Sequence, residues 1–237
     1  MNLKTVLFLK NNMKAVFFDL FFTLADLEYQ RINEFTLLNI SRSQWENSAE
    51  NPTAYSFRAT GKVKTEKEML ESMVTGLPFA VTDNQLEKLV EIRCDRMKKA
   101  LTEIHPDILL TLEKLKTAGI KLCLVSNADI IDKKYWDISP LKQYFDCAIF
   151  SCDVGIVKPD KAIYSLAMEK LGSAASESIF VGDGGSNELA GAKAVSMTTV
   201  LTEFLSVKDS ATREKILQWA DFTVTDFKEI YDIVAKI

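Results

Sequence analysis

Apolar residues follow two different patterns along this chain. From about residue 102 onward, short unbroken apolar runs alternate with stretches in which apolar residues recur every three to four positions. The runs are Ile120–Val125, Ala148–Phe150 and Ile179–Val181; Thr199–Leu201 is a further strand candidate and Asp221–Val224 a short last one. An earlier run, Ala15–Phe18, belongs with them. Unbroken runs of this length, lacking polar alternation, predict strands buried on both faces. Between them, Ile108, Leu109, Leu112 and Leu115 predict a helix that starts at Pro106 and is closed by Gly119. A second helix is predicted from about Asp160 to Leu171, ended by Gly172. After Asn187, the small residues Ala190, Gly191, Ala192 and Ala194 predict a helix lying close against a sheet. Alternation of this kind predicts an α/β fold, a doubly wound, Rossmann-like parallel sheet.

From about Ala25 to Leu101 only the helical period persists. It is carried by Ile32, Phe35 and Leu38, then by Met69 and Met73, then by Leu86, Leu89, Val90 and Met97, with Asp83 as expected N-cap of the last helix. The expected organisation is therefore a core made of residues 13–24 and 102–237, interrupted by an all-helical insertion over residues 25–101. Residues 1–12 are expected to be an N-terminal extension or an added edge strand, with translation starting at Met1 or Met13. Their apolar part is short and no small-residue cleavage site follows, so a signal peptide is not expected.

Candidate chemistry sits at the strand exits. Asp19 ends the first apolar run, where open α/β sheets bind ligands. A carboxylate buried there needs a cation, a reactive role, or both. Three later apolar runs lead into Ser126-Asn127, Lys158-Pro159 and Gly182-Asp183-Gly184-Gly185-Ser186-Asn187-Glu188. A hydroxyl, an ammonium and a second acidic cluster together suit a small anion of phosphate size.

In this order the four segments resemble the motifs of the haloacid dehalogenase superfamily, whose members are mostly phosphatases. The resemblance spans about Met13 to Leu201. It implies that Asp19 is the nucleophile, forming an aspartyl-phosphate, and that Thr23 orients its loop. Ser126 and Asn127 would bind phosphate oxygens, and Lys158 would offset the negative charge of nucleophile and phosphate. It also implies a Mg²⁺ ion held by Asp19, the backbone carbonyl of Phe21, and Asp183. Glu188 stands where many relatives have aspartate, and either ligates the ion or holds a bound water. Taken alone it reads as an ordinary first-turn helix glutamate. The insertion resembles the family's helical cap, which would close over the nucleophile and select the substrate. Trp45, Tyr55, Phe57, Arg58 and Lys62 either line its inner face or serve its core.

One position departs from the family pattern. Phosphatases of the superfamily usually carry a second aspartate two residues after the nucleophile as general acid and base. Here that residue is Phe21, and Phe22 replaces the common glycine. General acid–base catalysis contributes roughly 10²–10⁴-fold, so three readings stay open. The first is a Mg²⁺-dependent phosphatase acting on a small phosphorylated metabolite. The second is a metal-free haloacid dehalogenase, in which Arg31, Arg42 or Arg58 grips the substrate carboxylate. The third is a non-catalytic binding protein that keeps the fold.

Composition narrows the surroundings. The 237 residues are 47% hydrophobic with a net charge of −4, so no broad basic field points to nucleic acid or an anionic membrane. No run reaches the roughly 20 apolar residues needed to cross a bilayer. The four cysteines lack CxxC spacing and read as free thiols of a reducing cytoplasm. His105 is the only histidine, which excludes a multi-histidine metal site. Its place before Pro106 assigns it to a helix start.

Overall fold

The structure, a computed structural model, describes residues 13–237; the extension expected over residues 1–12 lies outside them. β1 (Ala15–Phe18) leads into five helices: α1 (Glu34–Leu38), α2 (Arg42–Ala49), α3 (Pro52–Ala59), α4 (Glu66–Val74) and α5 (Asp83–Thr102). Then follow α6 (Pro106–Thr117), β2 (Lys121–Ser126), β3 (Cys147–Phe150), the single-turn α7 (Ser151–Val154) and α8 (Lys161–Leu171). β4 (Ser178–Gly182), α9 (Glu188–Lys193), β5 (Thr198–Thr202), α10 (Ser210–Leu217), β6 (Phe222–Val224) and α11 (Glu229–Lys236) complete the chain. The six strands are parallel and ordered β3-β2-β1-β4-β5-β6. All six predicted strands are present, each within about one residue of its expected bounds.

The apolar runs are unbroken because both sheet faces are covered. Val16, Phe18, Leu122, Leu124, Ile179 and Val181 point to one side, where Ile108, Leu112 and Leu115 of α6 and Ile230 and Val234 of α11 pack. Ala15, Phe17, Cys123, Val125 and Phe180 point to the other, against Ile163, Tyr164 and Ala167 of α8 and Leu189 and Ala192 of α9. Successive strand residues thus serve opposite cores, the period-two geometry of a strand. Gly191 lets α9 come in close: a Cβ there would lie 2.6 Å from the Tyr164 hydroxyl and 2.8 Å from the Pro159 carbonyl.

The helices α1–α5 gather a third apolar cluster around Trp45, Met69, Leu70, Met73, Leu89 and Met97, which Ile131 joins from the segment after β2. Phe21 packs at the edge of both this cluster and the core beside β1. Two local expectations differ from the structure. The N-cap of α5 is Thr82, not Asp83, because only from Thr82 does Gln85 fall three residues on and close a capping box. Ile32 precedes α1 and is 68% exposed, whereas Leu38 is buried. His105 caps α6, its Nδ1 accepting from the Asp107 N–H at 3.2 Å. The four cysteines are unbridged. No helix of the described residues is long and apolar enough to cross a membrane.

Candidate active site

β1 lies at the centre of the sheet, with β2 on one side and β4 on the other, so the strand order reverses there. Phe18 pairs with Leu124 and with Val181, which puts the residues that follow all three strands at one level. Asp19 donates its N–H to the Val181 carbonyl at 3.0 Å, extending the ladder by one bond. Asp19, Asn127 and Asp183 thereby meet at the carboxyl end of the sheet, and Lys158 arrives from the segment after α7. These residues, with Phe21 and Glu188, line one cavity of about 930 Å³. Residues of α2, α3 and α5 form its other wall.

Lys158 is the hub. Its Nζ pairs with Asp19 Oδ1 and, at 2.6 Å, with Glu188 Oε2, and all three side chains are buried. Asn127 holds the lysine's backbone from both sides: its Oδ1 accepts the Lys158 N–H at 2.7 Å and its Nδ2 donates to the Lys158 carbonyl at 3.1 Å. Thr23 donates to Asp19 Oδ2 at 3.2 Å. Glu188 Oε1 accepts the Gly184 N–H at 3.1 Å, and Asp183 Oδ1 accepts the Gly185 N–H at 2.9 Å. The Tyr164 hydroxyl donates to the Glu188 carbonyl at 2.8 Å, tying the start of α9 to α8.

Burial sets the electrostatics. Loss of solvent pushes the Asp19 and Glu188 carboxyls above their ordinary values, opposed by Lys158 and reinforced by neighbouring carboxylates. Burial also disfavours the Lys158 ammonium, but Asp19 and Glu188 outweigh it and hold the lysine charged above its ordinary value. Asp19, Asp183 and Glu188 each bring an oxygen within 4.8 Å of the others'. An all-oxygen set of this kind suits a hard divalent cation such as Mg²⁺. Three carboxyls stand beside two ammonium groups, those of Lys158 and Lys208, so the acids outnumber the cations by one.

The turns that build the site carry backbone strain. Phe22 (φ 60°), Ser186 (φ 52°) and Asn187 (φ 53°) all occupy the left-handed region without being glycine, a feature concentrated at functional sites. Phe22 keeps the backbone that favours glycine although it carries a ring. Gly182 is required for a different reason, because a Cβ there would sit 2.0 Å from Glu188 Oε1. Gly182→Ala is therefore expected to drive Glu188 away from Lys158 and lower stability by about 1–3 kcal/mol. Calorimetry tests this: an unchanged melting temperature would mean that Glu188 is not held against the strand end.

Not every expected residue reaches the cavity. Ser126 and Thr23 are wholly buried behind its wall, and the Ser126 hydroxyl lies 3.5 Å from the Asn127 carbonyl. Trp45, Tyr55, Arg42 and Arg58 do line it; Arg31, Phe57 and Lys62 do not. Other lining residues went unnoticed in the sequence. Lys208 pairs with Asp183 Oδ2 and sits 5.3 Å from the centre of the Phe22 ring. Arg93 reaches Asp132 at 2.7 Å and Asp129 at 3.3 Å. One signal for Arg93 was available: it stands four residues after Leu89 and four before Met97, within the apolar stripe of α5.

A family model described as haloacid dehalogenase-like hydrolase matches residues 13–195. Over 134 residues the chain is 31% identical to a ribulose-1,5-bisphosphate 5-phosphatase of Halopiger xanaduensis, covering 55% of this chain and 56% of that protein. Over 147 residues it is 29% identical to a glyceraldehyde 3-phosphate phosphatase of Methanocaldococcus jannaschii, covering 60% of each. The matches thus span between half and two-thirds of these curated relatives. Among solved structures, L-2-haloacid dehalogenase from Xanthobacter autotrophicus with covalently bound chloropropionic acid shares the fold. Its TM-score is 0.63 at 20% identity, over 94% of this chain and 98% of that one.

Proposed function

Because the chain belongs to the haloacid dehalogenase-like hydrolase family, we propose that it is a Mg²⁺-dependent phosphatase of small phosphorylated metabolites, working through an aspartyl-phosphate at Asp19. The observation that carries this reading is the cluster of Asp19, Asp183 and Glu188, three acids whose oxygens converge and outnumber the two lysines beside them. Such a site repels a phosphate dianion unless a divalent cation joins it. The phosphatase relatives support the same reading.

Asp19, Asp183 and Glu188 would hold the ion, with the Phe21 carbonyl as a further ligand; when bound, it would offset the charge of phosphate and nucleophile and polarise the phosphorus–oxygen bonds. Thr23 and Lys158 fix the Asp19 carboxylate, one donor on each oxygen, so that its approach to phosphorus costs little reorganisation. Attack forms the Asp19–phosphorus bond as the bond to the leaving oxygen breaks. The Lys158 ammonium stabilises the charge on both sides of that transfer. Water then attacks phosphorus, releasing inorganic phosphate and restoring the carboxylate. The inserted helices act as a cap whose inner wall covers the site and excludes bulk water.

Phe21 cannot protonate the leaving oxygen. Its ring fills the seam between the core and the inserted helices instead. The chemistry therefore favours substrates whose leaving oxygen is stable as an anion or is protonated by the substrate itself.

Hydrolysis of p-nitrophenyl phosphate is the direct test, since p-nitrophenolate needs no acid. The expected result is turnover with Mg²⁺ that chelation abolishes. A second reading, a dehalogenase, is favoured by one observation: Lys208 on Asp183 and Lys158 on Asp19 and Glu188 leave each carboxylate with a cation partner even without metal. Metal-independent release of halide from 2-chloropropionate, with no hydrolysis of p-nitrophenyl phosphate, would replace the phosphatase reading with that one.

A further inference from the structure

We propose that Arg58 receives a second anionic group on the substrate, so that the protein acts on phosphate monoesters carrying a carboxylate or a second phosphate at the far end. The inference rests on the phosphatase reading and names its substrate class. Arg58 lies in the last turn of α3, lines the cavity, and is 2% exposed. Its Nε and Nη1 are buried without any hydrogen-bond partner. Its nearest acids stand at 3.6 Å (Asp129) and 3.9 Å (Glu50), beyond hydrogen-bond length. A buried guanidinium left this way is costly and seeks an acceptor.

Asp129 and its neighbour Asp132 are already committed, and the Glu50 side chain is 58% exposed to solvent. Asp129 Oδ1 accepts the N–H groups of Ile131 and Asp132, at 2.9 and 3.0 Å. Arg93 takes Asp129 Oδ2 and Asp132 Oδ1, and Asp132 Oδ2 accepts the Asp129 N–H at 3.0 Å. These bonds tie the two carboxylates to their own loop and to Arg93, so the donors left over belong to Arg58. Its guanidinium lies 5.8 Å from the centre of the Tyr55 ring, and the Tyr55 hydroxyl faces Asn127, the residue that brackets Lys158. Arg58 thus stands one aromatic side chain beyond the phosphate end of the cavity, placed for a substrate only a few atoms longer than the phosphate itself. A guanidinium suits either carboxylate or phosphate.

The test compares three substrates in the presence of Mg²⁺: ethyl phosphate, 2-phosphoglycolate and ethane-1,2-diol bisphosphate. The wild-type KM for at least one charged substrate is expected to be about ten- to a hundredfold lower than for ethyl phosphate, and comparison of the two identifies the anion. Arg58→Met should bring the KM values together; if circular dichroism shows it misfolded, Arg58→Lys should still lose much of the ratio. Equal KM values in the wild type, or an unchanged ratio in a folded variant, would overturn the proposal. Thermal-shift binding of the same compounds separates it from the reading beneath it. Stabilisation by the charged compounds alone, lost in the variant, with no hydrolysis of p-nitrophenyl phosphate, keeps the anion site while the phosphatase reading fails. No selective stabilisation and no hydrolysis of p-nitrophenyl phosphate overturns both.

Discussion

Asp19→Asn is expected to lower kcat for p-nitrophenyl phosphate by about 10⁴-fold or more, the scale seen when a covalent nucleophile is removed. The carboxamide keeps the size of the side chain, and its single oxygen can still accept from Lys158 while its NH2 donates to the Thr23 hydroxyl, so geometry survives while nucleophilicity does not. Stability should move the other way or not at all. Burial already works against the charged form of Asp19, and asparagine removes that cost while Glu188 remains as the partner of Lys158. A variant as stable as the wild type but inactive is thus the expected pair of results, read from steady-state kinetics and a thermal melt. Retained activity would remove Asp19 from the chemistry. Lost activity together with a collapsed melting temperature would assign it a structural role instead.

Lys158→Met should differ from it by a large loss of stability. It leaves Asp19 and Glu188 buried without the ammonium between them, keeping the Thr23 hydroxyl and the backbone N–H groups of Leu20 and Gly184. Removing one partner of a buried pair costs about 3–5 kcal/mol, a fall in melting temperature on the order of 10 °C for a chain of this size. The pH dependence has a definite sign. Without the lysine, both carboxyls would have folded-state pKa values raised further above their unfolded values. The folded state would then bind protons more tightly than the unfolded state, and the penalty would grow as pH rises through that interval. The deficit against wild type should therefore be largest at neutral pH and shrink towards pH values of about 4. Added Mg²⁺ should narrow it as well, by supplying the missing positive charge. Equal melting temperatures at neutral pH would mean that Lys158 does not hold the cluster together.

How much of this was legible in the sequence depended on whether local chemistry or tertiary contact decides each residue. The strands could be read because parallel strands covered on both faces leave unbroken apolar runs, and Asp19, Lys158 and Asp183 stood out as charges attached to such runs. The start of α5 and both ends of α6 and α8 were readable to within a residue, and Asp83 differs because threonine and aspartate both cap helices while only Thr82 has Gln85 three residues on. Lys208 was not legible. It lies in the polar segment Ser206-Val207-Lys208-Asp209, where a lysine looks solvated, and only the course of the chain after β5 brings it to Asp183. The buried arginines were hidden for a related reason. Arg93 and Arg96 can sit inside α5 only because Asp129, Asp132 and Glu34, far away in sequence, meet them there. Ile32 erred in the opposite direction, an apolar residue at helical spacing that begins no helix and meets solvent.

The helical insertion illustrates the same divide. Its helices and their apolar cluster follow from periodicity, since Met69, Met73, Leu89 and Met97 recur where a buried stripe requires them. The polar wall that these helices turn towards Asp19 does not. Tyr55 and Arg58 sit three residues apart on α3, a spacing that gives them one face but leaves open whether that face meets solvent, core or cavity.

The central claim is that Asp19 attacks phosphorus, and mass spectrometry of an acid-quenched single turnover tests it most directly. With Mg²⁺ and p-nitrophenyl phosphate, the account predicts one phosphoryl group on the peptide carrying Asp19, absent in Asp19→Asn and absent when the metal is chelated. Release of nitrophenol with no phosphoryl group trapped on that peptide at any quench time, or a carbon fragment of 2-chloropropionate found there instead, would contradict it.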